Sequence, residues 1–297
     1  MSSLGIDKDD VVLSFLLPLL EHQKAREPPR RPLVVGLTGL QGSGKSHLVS
    51  SLAKRLSSDP HNLRVAVFSV DDVYLPFAKL EELRLSHPDN KLIAHRGEPG
   101  THDLELAQET LDNLMAGWDT PIPSFDKSLN GGKGDRVARD QWRVVKGPVD
   151  VVIFEGWCVG FRAIDDEDVE RKWRTARETN AGVLGRHGLV DLLWVNGQLR
   201  GYDELTDQFD AFVHLDAQEL GYVYDWRLEQ EHAMIRIKGT GMTDKQVVEF
   251  INGYIPGYEL YLHRMREGVV KKDGDDLKRS LRIVMGKQRE TIESHVF

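Results

Sequence analysis

Apolar residues along this chain fall into short dense runs and longer spaced stripes, and the two alternate. Leu33-Val34-Val35-Gly36-Leu37-Thr38 is a compact, β-branched run with turn residues behind it, the pattern of a strand covered on both faces of a parallel sheet. Ser46 to Leu56 follows with Leu48, Leu52 and Leu56 on one stripe, which predicts an amphipathic helix. The dense pattern returns at Arg64 to Val70, Pro148 to Phe154 and Phe209 to Leu215, giving a second, third and fourth buried strand, and a last strand-like run covers Leu281 to Met285. Helical spacing covers Phe77 to His87, Leu104 to Met115, a polar stretch around Val169 to Thr179, a run near His187 to Leu205, and two long segments at about Leu220 to Lys238 and Asp244 to Glu267. Strands alternating with helices predict an α/β fold, a doubly wound and mostly parallel sheet in three α/β/α layers.

Two regions break the alternation. Asp119 to Lys146 is rich in Pro, Gly and charge and predicts a long irregular loop, a kind of segment that often carries function. At the other end, Val11 to Leu20 is apolar except for Ser14 and Pro18. It is too short to span a bilayer, and its acidic flank of Asp7, Asp9 and Asp10 is unlike a presequence, so it predicts a core-packing helix followed by the linker Glu27 to Pro32. Lys271 to Asp276 predicts a solvated turn.

The 297 residues include 39 Lys+Arg against 47 Asp+Glu, a formal charge of −8. Diffuse binding of nucleic acid or an anionic membrane is excluded on that balance, so any anionic ligand needs a local device. One cysteine, Cys158, allows no internal disulfide and points to the cytoplasm, with the nucleus also compatible. Beside a buried strand it reads as a small hydrophobe and not a nucleophile. The 11 histidines form no metal-ligand motif, and no structural metal is expected.

The local device is Gly39-Leu40-Gln41-Gly42-Ser43-Gly44-Lys45-Ser46, a full G-x-x-x-x-G-K-[ST] pattern between a buried strand and an amphipathic helix. Glycines let successive backbone N–H groups turn inward on phosphate oxygens, and the helix N-terminus adds its positive end. Lys45 is suited to the β and γ phosphates, Ser46 to Mg²⁺, and His47 follows directly. Carboxylates then appear at the ends of two further strands. Asp71 and Asp72 lie in Ser69-Val70-Asp71-Asp72-Val73-Tyr74, where one can take a proton from an attacking hydroxyl and the other cap the next helix; the chemistry alone does not choose between them. Glu155, in Phe154-Glu155-Gly156-Trp157, has the position of a Walker B acid holding Mg²⁺ through water. A guanine-reading segment is missing, because Asn90-Lys91-Leu92-Ile93 lacks its Asp.

Taken together, the cradle, the Asp71 segment, Arg96-Gly97-Glu98-Pro99-Gly100-Thr101-His102-Asp103, Phe125-Asp126-Lys127-Ser128 with Gly134-Asp135-Arg136, and Glu155 to Phe161 resemble the plant- and fungal-type D-glycerate 3-kinase family. That family stands with phosphoribulokinase, uridine kinase and pantothenate kinase, and the resemblance runs from Leu33 onward, with similar late segments at Val223 to Arg227 and Tyr254 to Tyr258. It implies a P-loop kinase with a helical lid, using ATP and Mg²⁺ to phosphorylate a small acceptor. Asp71 then corresponds to the general base and Arg227 to a lid arginine over the phosphates.

An acceptor with a carboxylate needs cations and hydrogen-bond donors. Two groups qualify: Arg96, His102 and Asp103 in one segment, and Lys127, Asp135 and Arg136 in the long loop, with Tyr74 beside Asp71 and Trp157 as a wall. Asp103 is equally placed to cap the helix at Leu104, and His102 to pack against its start. The expected organisation is an N-terminal helix and linker over residues 1–32, then a P-loop kinase domain of residues 33–297 with an acceptor-binding insertion at about 76–147 and lid helices at about 217–267. D-Glycerate is the first expectation for the acceptor. The alternatives are a nucleoside, a pantothenate-like molecule or another sugar acid, or a non-catalytic ATP-binding regulator.

Overall fold

A computed structural model describes residues 7–25, 31–270 and 277–297. The elements run α1 (Lys8–Ala25), β1 (Leu33–Gly39), α2 (Lys45–Ser57), β2 (Val65–Ser69), α3 (Phe77–Ser86), α4 (Leu104–Met115), β3 (Thr120–Ile122), β4 (Phe125–Asp126), β5 (Asp135–Arg136), β6 (Arg143–Val145) and β7 (Val151–Gly156). They continue through α5 (Asp166–Thr179), α6 (Leu189–Leu199), α7 (Asp203–Thr206), β8 (Ala211–Ala217), α8 (Tyr222–Lys238), α9 (Asp244–Met265), β9 (Ser280–Met285) and β10 (Thr291–Val296). Residues 271–276, where a solvated turn is expected, lie outside the described residues, as do residues 26–30 of the linker.

Six strands form the central sheet in the order β10-β9-β8-β1-β7-β2. All pair in parallel except β10, which returns antiparallel along β9. Every residue of β1 and β8 is buried, as their unbroken apolar runs require. Helix α1 packs on β1, β8, β9, β10 and α2, with Val12, Leu16, Leu19 and Leu20 at the interface, so the N-terminal apolar run is core. Arg31 then fixes the start of β1: it makes a two-pronged pair with Asp210 at 2.6 and 2.9 Å, and Asp210 also accepts from the Val34 N–H.

Four expectations need correcting. β2 lies at the sheet edge, not in its interior, and its burial alternates residue by residue, with Ala66 and Phe68 buried on one face and Val65, Val67 and Ser69 only partly covered on the other. The segment from Asp119 to Lys146 is a folded ribbon: β3 pairs with β6, and β4 with β5 inside it, around a turn in which Asn130, Gly131, Gly132 and Gly134 all have positive φ. Pairs this short leave too little alternation to be read from sequence. The run from His187 to Leu205 is broken into α6, a 3₁₀ turn at Arg200–Tyr202, and α7. β10 was not expected; none of its six residues is buried, so no apolar pattern marks it.

Parallel pairing sets the site. β7 lies between β1 and β2, with Leu37 and Ser69 on either side of Glu155. The loop after β1, the acid at the end of β7 and the turn after β2 therefore open at one edge of the sheet, the edge where ligands collect in α/β folds.

Candidate active site

Between β1 and α2 the chain turns through Leu40 to Gly44. Gly42 and Gly44 have φ of +75° and +92°, values that only glycine adopts without strain. At Gly42 the lack of a side chain has a second reason: a Cβ there would lie 2.7 Å from the Trp226 Cβ of α8. No side chain caps α2, and its first turn carries no acid, so its leading N–H groups are left for an anion. These are the features of a phosphate cradle. Burial pushes Lys45 below its ordinary pKa, while Glu155 and Asp71 pull it back up.

The cradle forms one side of an open cleft of about 1340 Å³. Gln41, Gly42, Gly44, Lys45, Ser46 and His47 line it, as do Asp71, Tyr74, Arg96, Lys127, Glu155, Trp157 and Arg227. Thirteen of the residues singled out in the sequence thus meet around one space. Gly39, Leu40 and Ser43 are buried behind the loop and support it from below.

The two aspartates after β2 have different jobs. Asp72 accepts from the Ser69 N–H at 2.8 Å in a reciprocal capping box, and burial pushes its carboxyl up to about 6. Asp71 faces the cleft, accepting from the Tyr74 hydroxyl at 2.6 Å and from Lys127 at 2.5 Å. Burial pushes the Asp71 carboxyl up, but the charge and hydrogen bond of Lys127, with that of Tyr74, outweigh it and leave the group below the usual carboxylate range. Glu155 is pushed the other way: burial raises it, against the pull of Lys45 and of the Ser69 hydroxyl that donates to it.

Arg227 comes from the first half of α8. Its guanidinium pairs with Glu231 one turn along at 2.7 Å and lies 5.6 Å from the Phe250 ring centre on α9. Glu231 also accepts from the Met242 N–H in the connection between the two helices, so one buried carboxylate holds both the arginine and the turn. Arg289, in the β9–β10 turn, reaches back to the cradle: its Nε donates to the Gly42 carbonyl at 2.7 Å, its Nη1 pairs with Glu229, and its own carbonyl accepts from Lys8 of α1. Aromatic residues close the opposite wall, with Trp157 edge-on to Tyr254 and Tyr258 and donating to the Gly97 carbonyl at 2.8 Å. The Tyr258 hydroxyl accepts from the Gln41 N–H.

Four residues expected at the acceptor site do not line the cleft. Asp103 caps α4 through the Leu106 N–H and pairs with Arg136 at 2.8 Å, while Arg136 also donates to the Tyr74 carbonyl. His102 lies stacked behind Tyr74, with ring centres 4.7 Å apart, and bonds to the Tyr202 hydroxyl. These three brace Tyr74, because a buried turn and a helix start must satisfy their own polar groups first. Asp135 likewise caps α3 through the Phe77 N–H. Cys158 is buried, and burial raises its thiol well above the ordinary value. Of the lining residues not picked from sequence, Glu231 was detectable as an acid one turn after Arg227, and Tyr254 lies in a late segment already noted. Arg289 has no local signal at all.

Comparison with known proteins bears on what this cleft does. Over 265 residues the chain is 41% identical to the uncharacterized kinase mug58 of Schizosaccharomyces pombe, covering 88% of this chain and 90% of that one. It also superposes on the solved structure of D-glycerate 3-kinase from Cryptococcus neoformans with a TM-score of 0.87 and 37% identity, covering 99% of this chain and 100% of that one. The chain belongs to the plant- and fungal-type D-glycerate 3-kinase family. Within it, the chloroplastic D-glycerate 3-kinase of Arabidopsis thaliana is 35% identical over 267 residues, 88% of this chain and 54% of the longer plant protein. No family model matches. The protein is accordingly an ATP-dependent small-molecule kinase on a P-loop α/β fold, with helices on both faces of the sheet. No helix among the described residues is long and apolar enough to cross a membrane.

Proposed function

We propose that this kinase transfers the γ-phosphate of ATP to a hydroxyl of D-glycerate, with Asp71 taking the hydroxyl proton. The observation that carries this reading is the meeting of Asp71 with two cationic side chains, Lys127 and Arg96, in the same cleft as the cradle. A small hydroxy acid offers a hydroxyl to the first and a carboxylate to the others. Two relatives carry the name D-glycerate 3-kinase, which supports the same choice.

Catalysis then rests on positioning and charge. Lys45 and the uncapped N-terminus of α2 hold the phosphates, and Arg227, turned from Glu231, stabilises the transferring group. Magnesium fits the donor set: the Ser46 hydroxyl and, through water, Glu155 would offer it hard oxygen atoms on the cleft wall. A partial protein shell of this kind suits an ion that keeps several waters and is shared with phosphates. When bound, the ion neutralises charge on the β and γ phosphates. In this reading residues 33–297 form the kinase unit, residues 76–147 build the acceptor side and residues 217–267 the lid.

ADP release in a coupled assay with Mg·ATP and D-glycerate, with the product identified by phosphorus NMR, tests the reading. The expected result is acceptor-dependent turnover that falls about 10²–10⁴-fold in Asp71→Asn while nucleotide still binds. No phosphorylated glycerate from the intact protein would overturn the choice of acceptor, and unchanged turnover in Asp71→Asn the choice of base.

A further inference from the structure

Both oxygens of the Asp71 carboxylate are engaged by side chains of this chain, and the two partners differ in kind. Tyr74 donates to Oδ1 at 2.6 Å from a fixed position: its ring is 4% exposed and stacked on His102, and its carbonyl is held by Arg136. Lys127 donates to Oδ2 at 2.5 Å from the cleft's open side, with a side chain 54% exposed just after β4. A carboxylate oxygen carrying an ammonium group is a poor proton acceptor, because protonating it means giving up the ion pair. Asp71 therefore becomes a base only when something else takes Lys127.

What can take it is indicated by Arg96. The guanidinium lies 5.9 Å from the centre of the Tyr74 ring and 5.4 Å from that of Phe125, and donates to the Gly132 and Lys133 carbonyls. Among the described residues no carboxylate is paired with it, unlike Lys127 and Arg227. A cation without a counter-ion, near the same tyrosine that holds Asp71, favours an anion at that point, and an anion there competes directly with Asp71 for Lys127.

We propose that Lys127 is a specificity-determining residue: it occupies Asp71 until the carboxylate of an anionic acceptor, held with Arg96, draws it away. This rests on Asp71 accepting the proton in the transfer proposed above. In that transfer the acceptor oxygen bonds to the γ-phosphorus while the bond from phosphorus to the β–γ bridging oxygen breaks. The bridging oxygen leaves with the electron pair on ADP, and the acceptor's proton passes to the Asp71 oxygen that Lys127 has vacated. Water and neutral polyols bring no anion, so with them the base stays largely occupied and ATP is consumed only slowly.

The test compares the intact protein with Lys127→Met and Lys127→Arg, each given Mg·ATP alone, with D-glycerate and with glycerol, and ADP release is followed. The expected result for Lys127→Met is a preference for glycerate over glycerol reduced about 10- to 100-fold, together with acceptor-free ATP hydrolysis about fivefold or more above that of the intact protein. Lys127→Arg, which keeps the charge, should retain the preference. If Lys127→Met slows both acceptors alike, with an unchanged ratio and no gain in hydrolysis, Lys127 acts on the phosphates or the fold and the proposal is overturned. Lys127→Gln serves as the second variant if the methionine chain does not fold. Failure of the intact protein to phosphorylate glycerate would count against the acceptor reading alone, since acceptor-free hydrolysis in Lys127→Met still decides the role of the lysine.

Discussion

Asp72 accepts from the Ser69 N–H at 2.8 Å while the Ser69 hydroxyl accepts from the turn that follows, so the second acid of the pair is committed to backbone structure. Its neighbour is left to face the cleft. Asp72→Ala should therefore act on stability, lowering it by about 0.5–2 kcal/mol in urea unfolding. Its phosphoryl-transfer rate per folded molecule should stay far above that of Asp71→Asn. A kinetic loss in Asp72→Ala equal to that of Asp71→Asn would reverse the assignment.

The cradle has a steric partner as well as an electrostatic one. Gly42→Ala places a methyl group 2.7 Å from the Trp226 Cβ at a φ of +75°, and neither the loop nor α8 can accept it unchanged. Strain of about 1–3 kcal/mol is expected, with ATP affinity in calorimetric titration reduced at least about tenfold. Wild-type affinity in a stably folded Gly42→Ala would show that α8 does not hold the loop.

Arg227 and Glu231 make a second separable pair. Arg227→Ala should lower turnover by about 10²–10³-fold with a smaller change in ATP affinity, as expected for a group that acts on charge in the transition state. Glu231→Gln keeps an acceptor for the Met242 N–H but releases the arginine. It should preserve the melting temperature better than Glu231→Ala, which also frees the turn. Equal melting temperatures for the two would mean that the carboxylate does not brace the turn.

Burial pushes the imidazoles of His102 and His214 down to about 4. In the unfolded chain both titrate near 6.5, so below that pH the unfolded state binds protons that the native state refuses. Their contribution to stability is complete above about pH 6.5 and is lost as pH falls toward 4, at up to about 1.4 kcal/mol per pH unit for each. Urea unfolding at about pH 7, 6 and 5 should show that decline, and His214→Leu should flatten it relative to the intact protein. An unchanged slope would exclude His214 as a source.

The parts of this fold that could be read directly are those in which one local rule dominates. β1 and β8 are buried on both faces, so their composition alone marks them, and the glycine pattern after β1 places the cradle without further help. The ribbon between Thr120 and Val145 could not be read, since its strands are two or three residues long and are held by pairing across the turn. The acceptor side shows the same division. Lys127 and Arg96 reach the cleft, whereas Asp103, Arg136 and His102, equally plausible by residue type, are taken up in bracing Tyr74. Sequence reveals which residues can do the chemistry, but the competing claims of helix starts and buried turns determine which are free to do it.

Arg289 joins parts of the chain that are farthest apart in sequence. It is held by Lys8 of the first helix, it bonds to Gly42 of the cradle and the Trp226 carbonyl, and it stacks on the Trp226 ring. A nucleotide arriving at the cradle thus meets a loop already buckled to both the opening helix and the closing hairpin. Removing either of those elements would leave every motif residue in place and still take away one of the contacts that hold the loop.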